Sequence, residues 1–428
     1  MVKITTEEPL WLMERRWPNA STQTTAVESA VRNIIDDVRL RGDEALVEYT
    51  EKFDKVKLTP AGFKVTREEI EEAYGKVKQE TIEALRRARD RLAANETRRL
   101  EGLSFTTSVD GVTVRFETRP IRRVGCYVPG GKAAYPSSLV MNVTPAKVAG
   151  VDEVIVVTPP GRDGSVPPLT LIAADVCRAD SIYKVGGAQA VAALAVGTAT
   201  IPRVDKIVGP GNQYVASAKS LVQRWVAIDK PAGPTEILVV ADDSADPRLV
   251  ALDLVSQAEH GPGGVCGVVT NSRSFAEAVN RELGSVVASV PRSEYVKPVL
   301  EGGGFIYLVP SMEEAAEFAD RFAPEHVEVV ARDPRELVGR IRGAGLILVG
   351  PNSPVSATDY ALGVNHVLPT EGYGRIAGGL TVLDYVKPIS IVESSREGLG
   401  NARVVVKELS EAEGLPNHAR AVEGRFER

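Results

Sequence analysis

The chain has 428 residues, which is long enough for two or more domains that each bury a core. Its hydrophobic fraction of 43% is ordinary for a globular protein, and its formal net charge of -6 is too mild to predict binding to nucleic acid or to an anionic membrane. No apolar run is long enough to span a bilayer, and the first residues lack the apolar stretch of a signal peptide. The three cysteines, Cys126, Cys177 and Cys266, have no metal-motif spacing, which predicts reduced thiols and a cytoplasmic protein.

The N-terminal part of the chain is predicted to be mainly helical. After an arm over residues 1–25, apolar residues recur at three- and four-residue spacing over residues 26–53 and 67–100, among many Glu, Lys and Arg side chains. Alternating residues over 103–118 then predict a β-hairpin, because Asp110-Gly111 is a strong tight-turn pair.

From Val124 onward, short β-rich runs alternate regularly with helical runs. This alternation predicts mostly parallel sheets with helical crossovers, and so an α/β fold with two sheet domains. We assign residues 26–123 and 240–380 to the first domain and residues 124–239 to the second. Residues 381–428 are predicted to form an extended polar tail with little core, which should pack on the chain's own domains or on a partner subunit.

The most informative stretch is DPRLVALDLVSQAEHGPGG, residues 246–264. Asp246 is a natural N-cap and Gly261 supplies a left-handed stop, so the stretch predicts one helix and the turn that closes it. Asp253, Gln257 and His260 follow one another at offsets of four and three and form a polar stripe. Since the C-terminal carbonyls of a helix are partly negative, the oxygen and imidazole nitrogen of this stripe are suited to a bound cation. A solvated helix face with one histidine is the alternative.

Each of the four histidines lies in an irregular, motif-like stretch or at the end of a helix. Carboxylates accompany three of them: Glu325 adjoins His326, Asp359 lies seven residues before His366, and Glu413 lies five before His418. The pattern predicts that some of the histidines converge on a divalent metal and that the Glu325-His326 pair does acid–base work. The alternative is that each is a surface or capping histidine.

Three glycine-rich loops, YVPGGKAAYPSS, VGGAQAV and VGPGNQYV, each follow a predicted strand and precede a predicted helix. Backbone N–H groups and a helix N-terminus in such a place can hold an anion or a nucleotide. None of the three matches G-x-G-x-x-G or G-x-x-x-x-G-K-[ST]. Together they predict a ligand cleft at one sheet edge, in which a dinucleotide would bind in an unusual way.

Long stretches of the sequence closely resemble the L-histidinol dehydrogenase family, from about residue 26 to residue 418. They are GCYVPGGKAAYPSS, VGGAQAVAALAVGT, VGPGNQYVASAK, AGPTEILVVAD, SQAEHGP, FAPEHVE, NHVLPT and EGL-x-x-H. The resemblance implies Rossmann-like, aldehyde-dehydrogenase-like sheet domains. It also implies oxidation of L-histidinol to L-histidine through L-histidinal with two NAD, the last step of histidine biosynthesis.

The resemblance also implies a zinc site shared between two subunits. In the family, one zinc ion per subunit is held by the residues that match Gln257, His260, Asp359 and His418. The last of these comes from the other subunit of a homodimer, which would explain a tail without a core.

The remaining site residues are carried over by the same motifs. The family's acid–base pair matches Glu325 and His326. Its NAD contacts match Tyr127, Gln189 and Asn212. Its substrate contacts match Thr235, Gln257, His260, His326, Asp359, His366, Glu413 and His418.

Two departures from the family pattern bear on these expectations. Thr235 stands where the family usually has Ser, but the hydroxyl is kept, so we expect the change to be tolerated. Gly378-Gly379 stands where Ser-rich sequence is common, a departure that concerns the local loop geometry and not the chemistry. Paralogues act on other alcohols such as sulfonated diols, and Glu413, which suits a substrate ammonium, favours histidinol.

Chemistry assigns roles to the predicted pair. His326 is expected to take the hydroxyl proton, because its unperturbed pKa lies near neutrality, and Glu325 to activate the water that attacks the aldehyde. Zinc is expected mainly to hold and orient the substrate. The alternatives are a zinc hydrolase with Glu325 as its base, a non-catalytic binding protein of two lobes, and an aldehyde-attacking thiol at Cys126, whose strand setting instead suits a buried inert residue.

Overall fold

The computed structural model describes residues 2–14, 25–130, 134–230 and 233–427. Its strands are β1 (Lys3–Thr5), β2 (Phe105–Val109), β3 (Val112–Pro120), β4 (Arg123–Tyr127), β5 (Glu153–Thr158), β6 (Ser181–Lys184), β7 (Lys206–Val208), β8 (Ala227–Ile228), β9 (Glu236–Ala241), β10 (Val265–Thr270), β11 (Gly304–Leu308), β12 (His326–Val330), β13 (Leu346–Val349) and β14 (Val386–Ser394).

The helices cover both faces of the sheets. They are α1 (Leu10–Met13), α2 (Thr25–Arg41), α3 (Asp43–Asp54), α4 (Arg67–Tyr74), α5 (Gln79–Glu101), α6 (Pro136–Ala149), α7 (Pro168–Val176), α8 (Gly187–Val196), α9 (Gln213–Val222), α10 (Pro247–Ala258), α11 (Arg273–Ser289), α12 (Ser293–Gly303), α13 (Met312–Phe322), α14 (Pro334–Arg340), α15 (Val355–Thr358), α16 (Arg396–Ala412) and α17 (Pro416–Glu423). No helix in these ranges has the length and apolar character needed to cross a membrane.

Six parallel strands form the larger sheet, in the order β1-β11-β10-β9-β12-β13. Every residue of β9 and β10 is buried, as expected for a parallel sheet whose two faces are both covered by helices. One core packs on each face of the sheet. Strand β12 lies next to β9, with His326 opposite Ile237, so the predicted acid–base pair enters near the middle of the sheet.

Five parallel strands form the second sheet, in the order β6-β5-β4-β7-β8. The chain runs outward from β4 to β5 and β6 and then returns to β7 on the other side of β4. The order therefore changes direction between β4 and β7, which is where sheets of this kind bind ligands beyond the carboxyl ends of their strands. The predicted parallel α/β fold with two sheets is confirmed.

The helices of residues 25–101 cover the five-stranded sheet. Side chains of α2 and α3 share one core with Ile155 of β5, and side chains of α4 and α5 share the core on the other face with Val156. This grouping differs from the sequence-based assignment, which joined residues 26–123 to residues 240–380. Amphipathic spacing identifies the buried face of a helix but not the sheet that it covers.

The N-terminal segment contributes an edge strand to the six-stranded sheet, because β1 pairs in parallel with β11. Leu12 of α1 is buried in the core beneath. Residues 15–24 of the predicted arm lie outside the described residues.

A third, antiparallel sheet has the order β14-β3-β2. The predicted hairpin is confirmed: β2 and β3 are joined by Asp110 and Gly111, with φ values of 48° and 76°. The predicted tail is more ordered than its polar composition indicates. Tyr385 is fully buried and donates to the Asn142 carbonyl at 2.7 Å, and β14 then pairs with β3 along nine residues. The helices α16 and α17 follow and pack on each other.

Candidate active site

The pair Glu325-His326 lies where α13 gives way to β12. Helix α13 ends at Phe322, and Ala323 adopts a left-handed φ of 48° before Pro324, which cannot continue the helix. This turn delivers both side chains into the interior at the start of the strand, where Glu325 is 7% and His326 is 3% exposed.

The carboxyl group of Glu325 is held by two donors. Its Oε2 accepts from the Thr235 hydroxyl at 2.6 Å and from the Glu236 backbone N–H at 2.9 Å. Burial raises the pKa of Glu325 to about 8, although both hydrogen bonds oppose the rise. A carboxyl that titrates close to neutrality can both give up and take back a proton during a reaction.

The imidazole of His326 is set in one tautomer. Its Nδ1 lies 3.0 Å from the Glu236 carbonyl oxygen, which can only accept, so Nδ1 carries the proton. Its Nε2 is buried and has no hydrogen-bond partner among the described residues. Burial also lowers the pKa of His326. The ring is therefore neutral near pH 7 and presents a free lone pair, as a general base requires.

Two further histidines gather around Asp359, the residue that ends α15. His260 Nε2 lies 3.9 Å from Asp359 Oδ2, and His366 Nδ1 lies 2.9 Å from the Asp359 carbonyl oxygen. Burial raises the pKa of Asp359 to about 6 and lowers that of His366 to about 4. His326 and His366 are largely enclosed here, whereas the His260 side chain is 53% exposed and lies at the mouth of this region.

Helix α10 brings Gln257 to the same region. Asp246 caps the helix by accepting from the Arg248 N–H at 2.8 Å, and Gly261 makes the predicted left-handed turn with a φ of 108°. The Gln257 amide N–H donates to the Thr235 hydroxyl oxygen, so one threonine links the predicted metal ligand to Glu325. Asp253, placed by its spacing on the same stripe, instead bonds to a carboxyl of β12.

The donor atoms partly fit the predicted zinc site. Gln257, His260 and Asp359 offer amide, imidazole and carboxylate donors, of which imidazole nitrogen and carboxylate oxygen are ordinary zinc ligands. The 3.9 Å between His260 Nε2 and Asp359 Oδ2 is about 0.5 Å longer than tetrahedral ligation of one zinc requires. Among the described residues, no group of three or more His, Cys, Asp or Glu side chains is arranged to hold a metal ion.

The two predicted tail residues lie apart from this region. Glu413 follows α16 and is exposed, and His418 is exposed on α17 with its Nδ1 3.3 Å from the Leu415 carbonyl oxygen. Within the described part of the chain, His418 has no hydrogen bond or ion pair with the other predicted ligands.

The predicted NAD residues lie at the carboxyl edge of the five-stranded sheet. Tyr127 ends β4 and accepts from the Gly187 N–H at 3.0 Å, Gln189 is buried in the first turn of α8, and Asn212 caps α9. Gly209 passes so close to β4 that a Cβ would lie 2.2 Å from the Tyr127 carbonyl oxygen. The three glycine loops therefore share one edge, as predicted, although residues 131–133 of the first loop lie outside the described residues.

The acid–base region and this edge meet through α6. His366 Nε2 lies 3.4 Å from the hydroxyl of Ser138, which stands in the first turn after the first glycine loop. All three cysteines are buried, and burial raises the pKa of the Cys126 thiol, as suits an inert side chain rather than a nucleophile.

Sequence reasoning missed Glu236. Its carbonyl oxygen sets the His326 tautomer, and its carboxylate accepts the backbone N–H of Glu325 at 3.1 Å and of Glu371 at 3.2 Å. A signal was present: Glu236 is an acidic residue that opens an otherwise apolar strand, and acidic residues are seldom buried without a role.

The neutral buried His326, the Glu325 carboxyl with its raised pKa and the carboxyl edge of the five-stranded sheet are features expected of an α/β enzyme that transfers protons. The profile of the histidinol dehydrogenase family matches residues 18–426. Histidinol dehydrogenase of Methanosarcina mazei is 45% identical over 94% of this chain and 92% of that protein, and that of Methanocaldococcus jannaschii is 44% identical over 92% of both. The crystal structure of histidinol dehydrogenase from Elizabethkingia anophelis superposes with a TM-score of 0.94 at 33% identity, covering 99% of this chain and 98% of that one. The chain belongs to the histidinol dehydrogenase family and is an oxidoreductase.

Proposed function

We propose that the protein oxidises L-histidinol to L-histidine through L-histidinal, transferring two hydrides to two NAD, as the last step of histidine biosynthesis. The observation that carries the proposal is the neutral, buried His326 with an unpartnered Nε2, which is the base that an alcohol oxidation needs. Membership of the family supports histidinol as the alcohol.

In the first oxidation, His326 Nε2 takes the hydroxyl proton while the carbinol carbon gives its hydride to NAD. The products are the aldehyde, NADH and a proton on His326. The hydrogen bond from Nδ1 to the Glu236 carbonyl keeps the ring in the required tautomer and stabilises the imidazolium that forms.

In the second oxidation, water adds to the aldehyde before a second hydride can leave. Glu325, in its ionised form, takes a proton from that water as it attacks the carbonyl carbon. The proton that His326 holds after the first oxidation passes to the oxygen anion of this adduct, which gives the hydrate and a neutral imidazole. His326 then takes one hydroxyl proton of the hydrate while its carbon-bound hydride passes to a second NAD, and the carboxylic acid so formed loses its remaining proton to solvent.

Zinc would be held by Gln257, His260 and Asp359 together with His418 of the partner subunit. When bound, the ion would fix the imidazole and amine of the substrate in place. Glu413 of the partner subunit would accept the substrate ammonium. A His260→Ala protein that keeps its full zinc content and activity would contradict this assignment.

The proposed homodimer is supported by the exposed surface of the C-terminal segment. Val404, Val405 and Leu409 of α16 are all exposed, and an apolar helix face of this kind is ordinarily covered by another protein surface. A second copy of the chain, related by a two-fold axis, would cover it and bring His418 to the neighbouring site. The three buried free thiols fit the reducing cytoplasm, in which we expect the dimer to work.

The test is the amount of NADH formed from a limiting quantity of histidinol. Two NADH per histidinol, with histidine as product, is the expected result. One NADH with accumulated histidinal would contradict the second oxidation. A hydrolase would form none, and a dehydrogenase for sulfonated diols would form NADH only with that class of alcohol.

A further inference from the structure

Asp54 ends helix α3 with a carboxylate oxygen that lacks a donor. Its Oδ2 is buried and has no hydrogen-bond partner within the described part of the chain. Burial raises the pKa of Asp54 to about 6, and no charged or hydrogen-bonding group contributes to this shift. Leaving a buried carboxylate oxygen unpaired costs free energy, so such an atom indicates a donor that arrives from outside the chain.

The segment after Asp54 lies along the five-stranded sheet. Phe63 accepts from the Lys184 N–H of β6 at 2.7 Å, and the Val65 N–H donates to the Ile182 carbonyl at 2.9 Å. Val56 lies 3.4 Å from where a Cβ of Gly164 would stand, in the loop that follows β5. Asp54 therefore lies on the β5 and β6 side of the sheet.

A second unpaired acceptor lies in the first turn of α8. Gln189 is 1% exposed, and its Oε1 has no hydrogen-bond partner among the described residues. A Cβ on Gly187 would stand 2.6 Å from that oxygen. The Gly187 N–H donates to the Tyr127 hydroxyl oxygen. The negative charge of Asp54 in turn helps to raise the pKa of Tyr127. Helix α3, which Asp54 ends, packs on α8, and the carboxylate and the amide oxygen both lack a hydrogen-bond donor among the described residues.

From this geometry we infer that the Asp54 carboxylate accepts hydrogen bonds from the ribose hydroxyls of the adenosine half of NAD and thereby excludes NADP. The inference rests on the proposed use of a nicotinamide dinucleotide. In sheets of this strand order, the dinucleotide crosses the edge at the reversal point, and an acidic residue on the side of the second strand holds the adenosine ribose. Asp54 lies on that side of the sheet. The chain continues to β9 and the acid–base pair from β8, which is the strand at the opposite edge.

The same carboxylate would repel the 2′-phosphate of NADP. No basic side chain among the described residues contributes to the pKa of Asp54, and the ammonium of the adjacent Lys55 is bound to the Lys52 carbonyl at 2.8 Å. A ribose diol, in contrast, supplies the two donors that the carboxylate lacks.

The experiment compares binding of ADP-ribose and 2′-phospho-ADP-ribose to the full-length protein by calorimetry, which does not depend on turnover. The unmodified protein should prefer ADP-ribose by about 100-fold. Asp54→Ser should weaken the binding of ADP-ribose by about 10- to 100-fold, as loss of a hydrogen bond to a charged group does. It should also remove most of the preference for ADP-ribose over 2′-phospho-ADP-ribose. It should raise the KM for NAD and leave kcat at saturating NAD unchanged.

The control is Asp163→Asn, which removes one carboxylate from the neighbouring loop, where Asp163 is exposed and already accepts from the Ser165 N–H at 3.1 Å. It should leave both affinities unchanged. Equal binding of the two ligands by the unmodified protein overturns the inference even if Asp54→Ser does not fold. If the protein oxidises histidinol with NAD and with NADP equally well, only the role of Asp54 is contradicted. If it oxidises histidinol with neither dinucleotide, the proposed function itself is contradicted.

Discussion

Thr235 connects two functional groups through one hydroxyl. It donates to the Glu325 carboxyl and accepts from the Gln257 amide, so it ties the proposed water-activating residue to a predicted zinc ligand. A serine would make the same two bonds, which gives a structural reason why the departure from the family pattern should be tolerated.

Replacing Thr235 with valine should remove both bonds while keeping the shape of the side chain. Because the Thr235 hydrogen bond lowers the pKa of Glu325, its loss should raise that pKa further and move the alkaline rise in the rate of aldehyde oxidation to higher pH. We expect the rate to fall by about 10- to 100-fold near pH 7.5. Thr235→Ser is the matched control and should keep nearly full activity. An unchanged pH profile in Thr235→Val would show that the bond does not tune Glu325.

The division of labour between Glu325 and His326 is tested by single-turnover kinetics. Glu325→Gln should release a first NADH from histidinol and then stall at the aldehyde, because the water-activating carboxylate is gone. His326→Asn should slow both hydride transfers. Cys126→Ser, in the buried strand β4, is the control and should retain most turnover. Covalent substrate trapped on Cys126 would contradict the scheme.

Two buried carboxyls cross-link the elements around the site. Asp253 of α10 shares a hydrogen bond with Glu328 of β12, and Glu328 Oε1 accepts the Val355 N–H at 2.7 Å, at the start of the short helix that ends at Asp359. Burial raises the pKa of Asp253 to about 6 and that of Glu328 to about 8, so the pair holds at least one proton at pH 7.

This pair should make stability depend on pH. Because the folded-state pKa values lie above the unfolded ones, its contribution to the free energy of unfolding is fully present below about pH 4 and is lost as pH rises through about 8. Urea unfolding should therefore show a decline between pH 5 and pH 8.5 that is smaller in Glu328→Gln, which keeps the hydrogen bonds without the charge. Glu336→Gln, on the exposed face of α14, is the control. An equal decline in both variants would contradict this role.

Local sequence patterns identified most of the elements near the site. The N-cap at Asp246, the left-handed Gly261 and the Asp110-Gly111 turn depend on a few adjacent residues, so they could be predicted. The covering of the five-stranded sheet by α2–α5 and the pairing of β14 with β3 join residues far apart in the chain. Glu236 was missed for the same reason, because its contact with His326 exists only once β9 and β12 are neighbours.

At the scale of the whole molecule, the proposed shared site makes each subunit incomplete alone. A His418→Asn subunit and a His260→Asn subunit should each be inactive as homodimers. In a mixed dimer, one site receives both intact ligands, so mixing should restore up to about half of the activity per heterodimer. No recovery after confirmed subunit exchange would place His418 in the site of its own subunit.

The antiparallel pairing of β14 with β3 has a consequence for how such a ligand is delivered. Tyr385 anchors the segment in the core, nine paired residues stiffen it, and α16 and α17 extend it as packed helices. In the proposed dimer, the His418 imidazole would be carried by stiff packed helices, so little conformational entropy would be lost when it reaches the neighbouring site. The effective concentration of the imidazole at that site would then be set by dimerisation alone, and specific activity should fall on dilution in parallel with the fraction of dimer measured by sedimentation.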